Sequence, residues 1–235
     1  MASLLRRFKP HYLLALLLLV KLFTMVSASV QSADQHSPVQ LKKQRFEQTL
    51  VPAVERVHRE WQTRFDTVAQ LLELGDPNAQ LQPLRERFGA ASDRELLAAL
   101  KPHPVSIVLA QAAIESGWGT SRFYREANNV FGIWSTNRSE PRIAARGKRD
   151  GKTVWLKQYA SLDDTIRDYY RLIAKGAAYQ QFRQARLRSQ DPLKLVPYLT
   201  AYSERREAYT RQVSQVLRQN QFSRYDQSDD HGQWR

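Results

Sequence analysis

From Leu41 to Leu74 the apolar residues Phe46, Leu50, Val54, Val57, Trp61, Phe65, Val68 and Leu72 recur at steps of three and four. That spacing lays one buried stripe along a helix. Pro52 sits inside the run and is expected to kink or restart it; Gly75-Asp-Pro77 is expected to end it. The interleaved Arg and Glu read as a solvated face. Two shorter helices are predicted around 80–88 and 93–100, the second opening with Ser92-Asp-Arg-Glu95, a capping-box pattern. Lys101-Pro-His-Pro104 breaks the chain. Val105 to Ile114 is then apolar nearly all the way round. It predicts a buried helix from about Pro104 to Glu115 or Ser116, because proline is tolerated where helical amides have no partner anyway.

Beyond Gly119 the pattern changes. Thr120 or Ser121 can cap a short helix to Ala127, Asn128-Asn129 reads as a turn, and Val130–Trp134 reads as extended. The strand signal lies in 135–160. Asp150-Gly151 is a hairpin turn pair, and Thr153–Tyr159 is a strand candidate. Ser161-Leu-Asp-Asp164 caps a helix carrying Ile166, Tyr169, Tyr170 and Ile173. Further helices are predicted near 178–188, 192–200 and 204–220, with Asp191-Pro192 as a start signal. Residues 223–235 are polar and read as a frayed tail. The fold class is α+β, predominantly α-helical, with one small β-hairpin inserted after the apolar helix.

The N-terminus adds a targeting signal. Arg6, Arg7 and Lys9 precede Tyr12–Val20, Lys21 interrupts, and Leu22–Val26 continues to a small-residue site at Val26-Ser27-Ala28. This is the layout of a secretory signal over 1–28. An uncleaved anchor is the rival, since Tyr12–Val30 nearly spans a bilayer. Both place the remainder outside the cytoplasm. The polar stretch 29–40 reads as a linker, 41–100 as a helical extension, and 101–222 as the main domain. Removing residues 1–28 takes away four Lys and Arg and no acid, so the formal charge falls from +13 to +9. That balance suits a polyanion, an anionic membrane face or an acidic polymer, and equally a merely solvated surface. There are no cysteines, which excludes disulfides, thiolate metal sites and a cysteine nucleophile. The histidines, including His58 and His103, show no metal-ligand spacing. No metal and no cofactor are expected.

One residue stands out against this background. Glu115 ends the apolar helix, followed by Ser116, Gly117, Trp118 and Gly119. A helix C-terminus disfavours a further negative charge, and apolar neighbours disfavour ionisation by removing water. Both push the carboxyl toward its protonated form, which can donate a proton to a leaving oxygen. Glycosidic cleavage needs that act. The glycines allow a sharp turn and close approach of a ligand. Trp118 either packs beneath that turn or offers a face to a sugar. An isolated acid at a helix end would more simply be paired or half-exposed.

The string Pro104–Ser121 followed by Asn128-Asn-Val-Phe-Gly-Ile133 resembles the signature of the endo-β-N-acetylglucosaminidases of glycoside hydrolase family 73. Within that family it most resembles the Bax-type proteins of Gram-negative bacteria. The resemblance runs over roughly 101–221. It implies a lysozyme-like fold and hydrolysis of the β-1,4 bond between N-acetylglucosamine and N-acetylmuramic acid in peptidoglycan. It further implies Glu115 as general acid and Asn128, Asn129, Phe131 and Gly132 as the groove floor. Tyr202 is implied near the catalytic centre, supporting the acetamido group or the developing positive charge. Tyr209 reads as helix packing. A periplasmic enzyme follows, secreted or tethered to the inner membrane, acting as a monomer.

The chain departs from the family in its second carboxylate. Between 135 and 160 only Glu140 and Asp150 are acidic, and Asp150 is in the turn. Either Glu140 acts as a base for an inverting attack, or the substrate's own N-acetyl oxygen is the nucleophile; the second is the favoured reading. The hairpin also carries Arg138, Arg142, Arg146, Lys148, Arg149 and Lys152, suited to the carboxylates of peptidoglycan, to anionic lipid or to solvent alone. Trp134 and Trp155 are candidates to stack on sugars, although strand alternation puts at least one in the core. Two rival functions remain open: a lytic transglycosylase on the same polymer, and a non-catalytic wall-binding module. A nucleic-acid partner, suggested only by charge, is argued against by the export signal and by the lack of any binding motif.

Overall fold

A computed structural model describes residues 21, 37–75 and 78–226. The chain divides into two compact units, Met1–Gln44 and Arg45–Arg235. The leader expected over 1–28 lies outside the described residues apart from Lys21, as does the linker up to residue 36. Among the described residues no single helix is long and apolar enough to cross a membrane.

Helix α1 spans Pro38–Glu73. It starts inside the expected linker because Ser37 and Gln40 form a capping box: the Gln40 N–H donates to Ser37 Oγ at 3.3 Å, and the Ser37 N–H to Gln40 Oε1 at 2.8 Å. Pro38 takes the first helical position. Of the kink or restart expected at Pro52, the restart does not occur, and the helix runs through it. An interior proline costs about 3 kcal/mol. Burial of Phe46, Leu50, Val54, Val57 and Trp61 outweighs this, at about 1.5–3 kcal/mol for each large apolar side chain. Trp61 stacks on Tyr170 at 5.4 Å. Arg56 and Glu60 add paired hydrogen bonds to Asp163 and Arg167. Such part-exposed ion pairs contribute only about 0.2–1 kcal/mol each, so apolar burial carries the attachment. The expected extension over 41–100 is thus, from Arg45 onward, part of the same compact unit as the remainder.

Helices α2 (Asn78–Phe88) and α3 (Asp93–Leu100) follow. Ser92 Oγ accepts from the Glu95 N–H at 3.3 Å, while Glu95 Oε2 reaches the Ala91 N–H at 2.8 Å, one residue earlier than a capping box requires. Helix α4 (Val105–Ser116) is the centre of the core, with Val105–Ala113 buried on every face. Helix α5 (Arg122–Ala127) is capped by Ser121, whose Oγ accepts from the Tyr124 N–H at 3.1 Å.

Strands β1 (Arg142–Arg149) and β2 (Lys152–Lys157) form the antiparallel hairpin. Asp150 and Gly151 both take positive φ, 50° and 72°, as the tight hairpin turn requires. Register pairs Arg142 with Lys157 and Ala144 with Trp155, then bulges before the Lys148–Thr153 pair. Helices α6 (Leu162–Lys175), α7 (Gln180–Arg186) and α8 (Pro192–Leu195) follow. A 3-10 stretch, Val196–Tyr202, leads to α9 (Glu207–Gln219), which packs along α4.

The expected fray from residue 223 is corrected as far as Asp226. Phe222 is fully buried and Phe222–Tyr225 forms a 3-10 turn. The Ser106 N–H donates to Asp226 Oδ1 at 2.8 Å, and Tyr225 OH donates to Glu47 at 2.9 Å. Residues 227–235 lie outside the described residues.

Candidate active site

The end of α4 places the acid. Gly117 adopts φ 59°; its N–H reaches Ile114 O at 3.3 Å and the Trp118 N–H reaches Ala113 O at 2.8 Å. This is a Schellman closure, which satisfies carbonyls that a helix end would otherwise leave open. Trp118 and Gly119 also take positive φ, 61° and 74°. Ser116 Oγ donates to Ala112 O at 2.6 Å and accepts from the Gly119 N–H at 2.9 Å, which locks the turn. The Trp118 ring meets Phe46 edge-on at 5.3 Å and Phe222 at 6.1 Å, a packing position beneath the turn.

Glu115 opens into a cleft of about 410 Å³, lined with it by Phe131, Gly132, Ile133, Trp134, Leu172, Tyr179 and Tyr202. Asn128 and Asn129 hold the floor from behind. Asn128 ends α5 at φ 49° and its Nδ2 donates to Tyr159 O at 3.0 Å. Asn129 is buried; its Nδ2 donates to Ile133 O and Lys157 O at 2.9 and 2.8 Å, and its Oδ1 accepts from the Ile133 N–H at 2.9 Å. The loop that follows them therefore stays against β2. Phe131 stacks on Tyr169 at 4.2 Å. Trp134 is 51% exposed in the cleft wall. The expectation that Trp134 or Trp155 is core is corrected: Leu156 is the buried residue of β2, and Trp155 is half-buried beneath the Arg142 guanidinium at 4.3 Å.

Burial pushes the Glu115 carboxyl above the ordinary range, while a hydrogen bond from Tyr209 and the charge of Arg205 pull it part-way back. Tyr209 was expected only to pack. It is buried, accepts from Gln111 Nε2 at 2.9 Å, lies beside the Glu115 carboxyl, and stacks on Tyr202 at 5.5 Å. The sequence held one clue to this cluster. Gln111 lies four residues before Glu115, so two polar groups share one face of an otherwise apolar helix.

Glu140 is not among the cleft-lining residues. Its Oε2 lies 3.8 Å from Lys157 Nζ, which also holds Asp168 at 2.9 Å. Of the basic hairpin residues, Arg149 lies over the Trp134 ring at 5.3 Å and pairs with Glu204. Among the described residues no group of three or more His, Cys, Asp or Glu is placed to hold a metal ion.

The profile of the family described as mannosyl-glycoprotein endo-beta-N-acetylglucosaminidase matches residues 92–227. The chain belongs to this glucosaminidase family. It is therefore a glycoside hydrolase, in line with its resemblance to glycoside hydrolase family 73. This glucosaminidase is 29% identical over 127 residues to Protein bax of Escherichia coli K12, covering 50% of this chain and 43% of that protein. It is 28% identical over 81 residues to the exo-glucosaminidase LytG of Bacillus subtilis 168, covering 32% and 29%. The chain thus matches less than half the length of either relative. The catalytic domain of the autolysin Auto from Listeria monocytogenes superposes with a TM-score of 0.55 at 14% identity, covering 86% of this chain and 97% of that domain. That likeness is one of fold, and it bears out the lysozyme-like architecture.

Proposed function

We propose that this glucosaminidase hydrolyses peptidoglycan at the β-1,4 bond between N-acetylglucosamine and N-acetylmuramic acid, with Glu115 as general acid. The observation that carries the reading is Glu115 itself: a desolvated carboxyl at the floor of the cleft, one side tethered by Tyr209 and the other open. A carboxyl so placed keeps its proton to higher pH than an ordinary one and gives it to the departing glycosidic oxygen. Family membership supports the bond type, and the fold shared with an autolysin catalytic domain supports the polymer. Glu115 is the sole carboxylate among the cleft-lining residues. That supports attack by the substrate's own N-acetyl oxygen, with water opening the resulting ring, and leaves Tyr202 to face the acetamido group. Trp134 and Gly132 contribute an aromatic face and an open backbone to the sugar. The N-terminal basic and apolar stretch supports export to the periplasm, with the leader cleaved or kept as an inner-membrane tether.

The test is digestion of purified sacculi by the wild type and Glu115→Gln. Wild-type clearing with a new reducing N-acetylglucosamine end, lost in the variant, is expected. An anhydro-muramyl end would replace hydrolysis by transglycosylation, for which one carboxyl also suffices. Binding without clearing by both proteins would leave only a wall-binding module.

A further inference from the structure

Behind Glu115 runs a buried file of side chains that the reaction does not itself use. Arg186 of α7 is 2% exposed, and among the described residues no carboxylate pairs with it. Its Nη2 donates to Ala98 O at 2.8 Å, and its Nη1 lies 3.0 Å from His103 Nδ1. His103 Nε2 lies 3.0 Å from Tyr169 OH. Tyr169 OH donates to Gln111 Oε1 at 2.6 Å, Gln111 Nε2 donates to Tyr209 OH at 2.9 Å, and the Tyr209 hydroxyl lies beside the Glu115 carboxyl.

The chemistry of each group fixes the direction of the whole file. A guanidinium only donates. His103 Nδ1 must therefore accept, so the ring carries its single proton on Nε2 and donates it to Tyr169. Tyr169 has one proton and passes it to Gln111; the Gln111 amide must then present its NH₂ to Tyr209. Tyr209, having accepted, gives its own proton to Glu115. Four hydrogen bonds in series run to Tyr209 and leave its own proton for the acid. We infer that Arg186 is a positioning residue for catalysis: it sets the sense of this file so that one Glu115 oxygen is always an acceptor from Tyr209 and the acidic proton stays on the oxygen that faces the cleft. The inference rests on Glu115 being the general acid.

The alternative sense is chemically complete and unproductive. With the His103 proton on Nδ1, Tyr169 donates to His103. Gln111 turns over, donates to Tyr169 and accepts from Tyr209. The Tyr209 oxygen is then free to accept, and the Glu115 proton is drawn to it, away from the substrate. Buried chains of this kind polarise one another, so the sense of one end is felt at the other. Stability alone is a poor account of Arg186. A buried cation without a counter-charge is costly, and an apolar side chain of its size usually serves a core better. Burial and the adjacent guanidinium also keep His103 well below the ordinary imidazole range, which holds the ring neutral as the file requires. The charged and titratable groups around Glu115 itself are Tyr209, Arg205, Tyr202 and Tyr169.

Arg186→Met and Arg186→Lys are compared on soluble glycan fragments of sacculi. Arg186→Met, which keeps the bulk and removes the donors, should lower kcat at least tenfold, leave KM within twofold, and move the alkaline limb of the kcat profile to higher pH. Arg186→Lys, donor-only while its ammonium keeps its proton, should recover most of kcat at acid pH. A folded Arg186→Met enzyme with wild-type kcat and limb overturns the inference, as does Arg186→Lys behaving like Arg186→Met at acid pH. A second measurement needs no variant: ¹⁵N spectra of the wild type should show His103 neutral and protonated on Nε2 at pH 7. A proton on Nδ1, or an imidazolium, overturns it even if Arg186→Met does not fold. The spectrum needs no turnover, so persisting activity in Glu115→Gln would remove the acid assignment while leaving the file intact.

Discussion

Tyr202 and Tyr209 stack face to face, 5.5 Å apart and 12° from parallel, one in the cleft and one behind it. The pair divides the labour around Glu115. Tyr209 holds the carboxyl, and Tyr202 faces the space where a sugar would lie.

Exchange of each tyrosine for phenylalanine should separate the two tasks. The Tyr209 hydrogen bond lowers the Glu115 pKa from the raised value that burial imposes. Glu115 works as an acid only while protonated, so activity is lost as pH rises through its pKa. Tyr209→Phe removes a lowering influence and should move that alkaline limb upward, with kcat reduced about tenfold or more. It also strands Gln111 Nε2, at a cost of about 1–3 kcal/mol in stability. Tyr202→Phe should lower kcat while leaving the limb within experimental scatter. The pH–rate profiles of the two variants check this.

Glu140 offers a test of where the nucleophile comes from. It sits against Lys157 and outside the cleft lining. Glu140→Gln should therefore keep kcat within about threefold of wild type, whereas a positioned general base typically contributes 10²–10⁴-fold. A loss of that size in sacculus digestion would make Glu140 the base and end the substrate-assisted reading.

The two asparagines after α5 should respond differently. Asn129 makes three hydrogen bonds from a buried site. Asn129→Ala should lower stability by about 2–4 kcal/mol, since the groups left behind are unsatisfied, and should loosen the cleft floor. Asn128 is tied to Tyr159 O from a left-handed position that glycine also adopts. Asn128→Gly should cost about 1 kcal/mol and preserve activity. Urea denaturation read beside sacculus clearing distinguishes them.

Local order explains what could be read from the sequence. The buried helix ending at Glu115 and the hairpin at Asp150-Gly151 depend on neighbours a few residues away, and periodicity and turn chemistry report those directly. The helix does not restart at Pro52, because the burial that holds it together comes from elements distant in the chain. The file behind Glu115 was hidden for the same reason. Gln111 meets Tyr209 across 98 positions, and His103 meets Arg186 across 83. In α9, Tyr209 falls in step with Val213 and Leu217, so its spacing looks like packing and says nothing of its hydroxyl.

Trp134 and Trp118 should give opposite signatures. Trp134→Ala removes a half-exposed ring from the cleft wall, so KM for glycan should rise about tenfold with Tm nearly unchanged. Trp118→Ala removes a ring held by Phe46 and Phe222 and should lower stability by about 2–4 kcal/mol. Below the melting range its KM should stay within about twofold, because no part of the cleft is lost. A KM effect from Trp118 would bring that ring into contact with the sugar.

At the opposite end of α4 from Glu115, Asp226 predicts how stability varies with pH. Its Oδ1 accepts from the Ser106 N–H at 2.8 Å, yet burial pushes its pKa up from 3.8 to about 6. The folded state therefore favours the protonated form. The stabilisation that this gives is complete below the unfolded pKa and is lost as pH rises through about 6. Asp226→Asn keeps an acceptor for Ser106 and removes the charge. It should match wild type near pH 3.5 and exceed it by about 1–3 kcal/mol at pH 7, with the gap opening between those limits. Thermal melts of both proteins across that range decide it. A constant gap would mean that the amide replaces packing and not charge, and a variant less stable at pH 7 would mean that the ionised carboxylate is itself stabilised where it sits.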